Sequence, residues 1–173
     1  IESLKTICNI PKVIAELNRL KNNMGFSEKE DGKRYVYTGI DINDTSTYSD
    51  DNFNEQSPTK RKSNALNFPE LTNKTIFGGH YHPEIISKNG KPYFISPLPS
   101  GTDIAEHIVM VKKVATTNPT TQPEINQVTN FIVSKRRTYA IRTNNEQSII
   151  ELEGDFTKGS KKRDEIKRAT KEL

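Results

Sequence analysis

The 173-residue chain has a single cysteine, Cys8, a modest apolar share, and no apolar run near the ~18 residues a membrane span requires. One cysteine excludes an intrachain disulfide and any multi-cysteine metal site, so a bound metal has only histidine and carboxylate ligands to draw on. The absent apolar run predicts a soluble chain with no membrane span, and the N-terminus lacks the apolar stretch of a secretory signal. The chain opens on Ile1 rather than Met, which reads as a fragment excised from a longer protein. Apolar residues make up 32%, and the 9 glycines do not lift the total to the ~45–50% usual in globular domains. Either the core is small or part of the chain lies outside it. Basic residues exceed acidic ones by four, 26 against 22, too small a surplus to demand a polyanion partner. The basic runs Lys60-Arg61-Lys62, Lys135-Arg136-Arg137 and Lys161-Lys162-Arg163 have no interleaved aromatics for base stacking, so nucleic acid is not indicated as a partner.

The length fits one domain, taken as residues 1–150 followed by a basic, helical tail over 151–173. Ile10, Val13, Ile14, Leu17 and Leu20 recur at helical spacing after Asn9 and Pro11, predicting a helix from Asn9 to Lys21 that packs one face on the core. Met24 to Ile40 reads as a hairpin turning at Asp31-Gly32, with Tyr35 and Tyr37 at strand period. Residues 41–74 are rich in Asp, Asn, Ser, Thr and Lys without either periodicity, and are expected to form a long structureless loop. Thr75-Ile76-Phe77-Gly78-Gly79 resumes as a short buried strand. A second hairpin, 84–96, is signalled by Asn89-Gly90, a dipeptide that accepts the positive φ of a type I′ turn. Ser100 is placed to cap a helix running to about Val114, followed by a polar linker from Thr116 to Pro123. Strands near Phe131-Ile132-Val133 and Thr138 to Arg142 follow. Helices interspersed with strands give an α/β (α+β) domain.

All three histidines lie between positions 80 and 107. His80 and His82 are one residue apart, so on an extended segment both rings point to the same side with Cα atoms about 6–7 Å apart. Two imidazoles can then converge on one ion. Asp103, in the turn that opens the helix after Ser100, can point a carboxylate back to the strand end. Two nitrogens and one oxygen make the three-ligand set of a catalytic zinc, which keeps its fourth position for water. An isolated His-x-His pair at a strand end is commonly just a surface pair. Here a strand ending in Gly-Gly runs into His-x-His-Pro and then Ser-x-x-Asp at a helix start. His107, four residues after Asp103, reads as a partly buried helix histidine, with a supporting role at the metal as the alternative.

This compound pattern resembles the JAMM motif of the JAB/MPN metallopeptidases, a family that includes deubiquitinating enzymes and bacterial relatives. The resemblance spans residues 4 to 142 and is nearest to the bacterial JAB-like branch. It implies a cytidine-deaminase-like mixed sheet flanked by helices, with Zn²⁺ held by His80, His82 and Asp103. It also implies that Ser100 supports the transition state, and that a zinc-bound water hydrolyses a peptide or isopeptide bond of a protein or peptide substrate. Seventeen residues separate His82 from Ser100, more than the family usually shows, and the 84–96 hairpin accounts for the excess as a flap beside the metal.

Family enzymes carry a general-base glutamate just upstream of a glycine on the first strand. With Gly25 taken as that glycine, the preceding residues are Asn22, Asn23 and Met24, none of which accepts a proton near neutral pH. Glu28 and Glu30 follow; Glu28 is the candidate substitute, although an Asp31-Gly32 turn would leave both exposed. The alternative reading is therefore a catalytically inactive JAB/MPN-fold binding or scaffold module. The non-Met start, the polar composition and the resemblance also suggest a domain of a bacterial secreted or toxin-like protein, whose partner would be a cognate inhibitor or immunity protein.

Overall fold

The computed structural model describes residues 2–22, 29–62, 65–94, 96, 98–117, 128–135, 137–144 and 146–170. Two helices, α1 (Glu2–Cys8) and α2 (Pro11–Asn22), precede the first strand. The helix expected from Asn9 to Lys21 is α2, and Cys8 ends a helix of its own, where it packs partly buried against the core. β1 (Gly32–Tyr37), β2 (Phe53–Gln56), β5 (Thr75–Tyr81), β8 (Thr129–Val133) and β9 (Thr138–Ile141) form one mixed sheet in the order β2-β1-β5-β8-β9. Only β5 and β8 run parallel. They are joined through α3 (Gly101–Thr117), so the connection is a βαβ unit built into an otherwise antiparallel sheet. α4 (Glu146–Glu151) and α5 (Lys161–Ala169) close the chain, and both pack on α3. The protein is a mixed α/β domain, with helices flanking a five-stranded sheet. No helix among the described residues is long and apolar enough to cross a membrane.

The alternation of β-strand side chains divides the labour between the two sheet faces. Tyr35, Phe77, Gly79, Tyr81 and Phe131 face α2. A Cβ added at Gly79 would lie 3.6 Å from Leu17 of that helix, and Tyr81 clusters with Leu17, Leu20 and Val133. Tyr35 and Phe77 stack at 4.9 Å on this side. The opposite face carries Arg34, Gly78, His80 and Asn130, and meets α3, where Arg34 pairs with Glu106 and Asn130 approaches His107. One face is an aromatic core. The other, beneath α3, sets these polar side chains among the buried Ile76, Ile132, Val111 and Val114.

Residues 41–74 depart from expectation, for they are not structureless. They contain 3₁₀ turns at Thr45–Thr47 and Asp50–Asn52, the edge strand β2, and a two-stranded ribbon of β3 (Lys60–Lys62) and β4 (Ala65–Asn67). Two aromatics organise the first half. Tyr48 and Phe53 pack edge to face at 5.2 Å, and Phe53 reaches Phe77 at 4.7 Å. Asp50 caps α2 by accepting from the Lys12 N–H at 2.8 Å, satisfying a donor that the first helical turn leaves free. Widely spaced anchors of this kind have no periodicity, and β2 is held by its antiparallel register on β1, Tyr37 opposite Phe53. β1 accordingly pairs with β2 and β5. The strand expected around residues 25–27 lies outside the described residues, as does most of the linker after Thr117.

β6 (Ile85–Lys88) and β7 (Lys91–Phe94) form the hairpin announced by Asn89-Gly90, whose φ angles are +54° and +73°. The ribbon is joined to no other strand among the described residues and leaves Ile85, Tyr93 and Phe94 exposed. Ser100 caps α3 as expected, with its Oγ accepting from Asp103 N at 3.3 Å.

The register of β1 on β5 sets Gly32 directly opposite His80. A Cβ at Gly32 would fall 2.7 Å from the His80 Cβ and 2.2 Å from the Gly79 carbonyl oxygen. Facing Cβ atoms normally stand about 4.5–5.5 Å apart, so any side chain here forces the two strands to part. Gly32→Ala should destabilise the fold by about 2 kcal/mol. Gly79→Ala, whose added methyl meets only ordinary contacts from 3.6 Å outward, should be the milder change. Denaturant unfolding of the two variants checks this order.

Candidate metal centre

β5 is buried along nearly its whole length and ends at the site. His80 is its penultimate residue. His82 lies just beyond the strand, tied to β8 by its N–H donating to the Val133 carbonyl at 3.0 Å. Their two-residue spacing keeps both rings on the α3 face. α3 begins above them, and Asp103 sits at the third position of its first turn. The Asp103 carboxylate accepts from the Ser100 N–H at 2.5 Å while the Ser100 hydroxyl accepts from the Asp103 N–H, a reciprocal cap that fixes the acid's rotamer.

The three side chains converge. His80 Nε2 lies 3.0 Å from His82 Nε2 and 3.0 Å from Asp103 Oδ1, and His82 Nε2 lies 3.4 Å from Asp103 Oδ2. His82 and Asp103 are buried, and His80 is one-fifth exposed. Zinc bonds of 2.0–2.2 Å in a tetrahedron place ligand atoms about 3.3–3.6 Å apart, so the three atoms are close enough to share one ion after a few tenths of an ångström of spreading. They are the only group of three or more such side chains among the described residues whose ligand atoms lie within 4.8 Å of one another.

The electrostatics agree with that chemistry. Three lone-pair-bearing atoms facing one another repel unless a proton or a cation lies among them. Burial disfavours the charged form of His80, but the Asp103 carboxylate outweighs it and raises the imidazole's pKa. Burial likewise pushes the Asp103 carboxyl upward, yet its bonds to both imidazoles hold it well below the usual range. The first turn of α3 turns the positive end of the helix dipole toward the Asp103 carboxylate and favours its anionic form. That anion is the counter-charge available to the two imidazoles.

Glu30 is the residue that sequence reasoning misplaced. It is not on an exposed turn. The β1–β5 ladder pairs Gly32 with His80, and Tyr81 N–H donates to the Asp31 carbonyl at 2.8 Å. One more step sets Glu30 across from His82, on the same sheet face. The side chain is partly buried, and burial raises its pKa despite the opposing pull of His80 and His82. Its backbone N–H donates to the Lys62 carbonyl at 2.8 Å, and Arg61 pairs with Asp31 at 2.6 Å, so the basic β3 ribbon pins this segment. Glu30 is not in the three-residue cluster; it stands beside it as an acid of raised proton affinity. The legible signal was Glu-x-Gly at the start of the Tyr35/Tyr37 strand, where Gly32 is the first strand residue rather than part of a turn. Asn22, one of the residues read as replacing the base, is exposed at the end of α2; Glu28 and Asn23 lie outside the described residues.

Ser100 is exposed, and with its oxygen accepting from Asp103 its O–H remains able to donate outward. His107 does not join the cluster. Its Nε2 meets Thr143 Oγ1 at 2.9 Å, and its Nδ1 faces the Asn130 amide nitrogen at 3.5 Å, so it is a buried helix histidine bonded across to the sheet.

Searches against family models, curated proteins and solved structures find no match to this chain.

Burial, aided by the charge of Arg142, pushes His107 down to about 4. The unfolded chain therefore binds this proton more readily than the folded one below about pH 6.5, the ordinary histidine value. The stability contribution is complete above that pH and falls as the pH drops toward 4, by about 3 kcal/mol in total. His107→Gln should lose this component, seen as a shallower fall in unfolding free energy between pH 6.5 and 4 than the parent chain shows.

Proposed function

We propose that this chain is a zinc-dependent hydrolase of peptide or isopeptide bonds with a JAB/MPN-like site. The observation that carries the reading is the convergence of His80 Nε2, His82 Nε2 and the Asp103 carboxylate at zinc-ligand spacing, with a fourth carboxylate, Glu30, beside them but outside the group. Three protein ligands with an open position are the catalytic rather than the structural arrangement. A zinc ion held there supplies Lewis acidity, acidifying water and polarising a substrate carbonyl.

The chain's own residues perform the remaining work. Asp103 and the two imidazoles would hold the ion, and are themselves held by the Ser100 cap and the β5 backbone. Glu30 takes the proton of the attacking water on its carboxylate and returns it to the leaving nitrogen, a role suited to an acid whose proton affinity burial has raised. The Ser100 hydroxyl donates to the carbonyl oxygen as negative charge develops there. The exposed β6–β7 ribbon, which joins directly onto His82-Pro83-Glu84, is the natural flap against which a substrate chain lies. The scaffold alternative supposes an amide in place of the base; a carboxylate at Glu30, partly buried beside the cluster, supports the hydrolase reading instead.

Metal analysis of the purified chain should give one zinc per molecule, lost in His80→Ala and His82→Ala. Absence of stoichiometric zinc in the parent would end the reading. Glu30→Gln should retain the zinc and lose about 10²–10⁴-fold in the rate of cleaving an unfolded polypeptide mixture or a lysine-isopeptide-linked peptide. A zinc-loaded parent that leaves both intact is a binding module instead.

A further inference from the structure

The C-terminal helix has a use that its basic composition conceals. α5 carries Arg163, which is only 7% exposed and donates to the Phe156 carbonyl at 3.2 Å. The same guanidinium reaches Glu106 Oε2 at 3.3 Å. The other oxygen of Glu106 is held by Arg34 of β1, whose guanidinium also lies 4.4 Å over the Phe68 ring and donates to the Pro69 carbonyl at 3.2 Å. Glu106 therefore ties three elements together, and it sits three residues after Asp103, on the same face of α3.

A second contact acts on the other side of Asp103. Gly101 opens α3, and a Cβ there would lie 2.3 Å from Thr170 Oγ1, 2.7 Å from the Lys167 Cα and 2.9 Å from the Ile166 carbonyl oxygen. The last turn of α5 thus presses on the first turn of α3 almost backbone to backbone. Asp103 is bracketed by two residues, Gly101 and Glu106, whose positions α5 sets.

The histidines and the aspartate reach the site on different elements, β5 and α3. Arg34 belongs to the strand that fixes His80, since it pairs with Gly78 two residues along the ladder from Gly32 and His80. The Arg34–Glu106–Arg163 chain is consequently a brace between the histidine-bearing sheet and the aspartate-bearing helix.

We propose that Arg163, Glu106, Arg34 and Gly101 are positioning residues of the metal centre, and that α5 is part of it because it sets where Asp103 stands against His80 and His82. This rests on the reading of the cluster as a metal site. Groups that orient a ligand typically influence metal affinity by 10–100-fold, and a brace acting one turn away falls at the lower end.

The test uses the full chain and zinc affinity measured by competition with a chromophoric chelator, with unfolding of each metal-free variant measured in parallel. Arg163→Met should bind zinc about ten-fold more weakly, and Arg163→Lys should recover part of the loss. Gly101→Ala, which displaces α5 without changing charge, should weaken binding similarly, and it serves if Arg163→Met does not fold. Combined with Asp103→Ala, Arg163→Met should cost no further affinity, because its effect passes through that ligand. A parent that binds no zinc overturns the metal reading itself. A parent that binds zinc while folded Arg163→Met and Gly101→Ala match it within two-fold overturns only the role given to α5, as does an undiminished loss in the Asp103→Ala background.

Discussion

The approach of β1 to β5 at Gly32 and His80 is the constraint on which the site depends. Two strands paired in register allow a histidine opposite only a glycine when the backbone comes this close, and that pairing then decides every neighbour. It sets Glu30 across from His82, Arg34 toward Glu106, and both histidines on the face that meets α3. A slip of one residue would invert the strand and send those side chains into the aromatic layer under α2.

That inversion would be costly because the two sheet faces are so unlike. The α2 side buries Tyr35, Phe77 and Phe131 in a contiguous apolar cluster, extended by Tyr37, Tyr48 and Phe53, and this is where burial of apolar surface stabilises the fold. The α3 side buries Asp103, His82, His107, Asn130 and Arg163, which burial alone penalises. Several have specific partners: a cap at Asp103, a threonine at His107, and for Arg163 a glutamate shared with Arg34, whereas the buried His82 Nδ1 has none among the described residues. That side also buries Ile76 and Ile132 of the sheet and Met110, Val111 and Val114 of α3, so the polar groups are embedded in apolar packing.

Features decided over a few residues were readable in the sequence. Asn89-Gly90 announced its hairpin because positive φ is a property of those two residues. Ser100 announced a helix start because the cap is made within the same turn. His80 and His82 announced a shared face because strand alternation is local. The 41–74 segment was misread because Tyr48 and Phe53 are ordered by rings on β1 and β5, far along the chain, and leave no period behind them. Glu30 was misread because Asp31-Gly32 looks locally like a turn, and only pairing with β5 makes Gly32 the first residue of β1.

The sequence by itself determined which donors exist: two histidines on one side of a strand, an aspartate one turn into a helix, and a single thiol, Cys8, too few for a cysteine site. Only the tertiary structure decided that these donors meet within hydrogen-bond distance, that Glu30 rather than an asparagine stands next to them, and that the C-terminal helix braces the aspartate. The physical reason is the range of the interactions. Backbone preference and capping act within a turn, whereas strand register and buried ion pairs form between residues that are brought together only when the chain has folded.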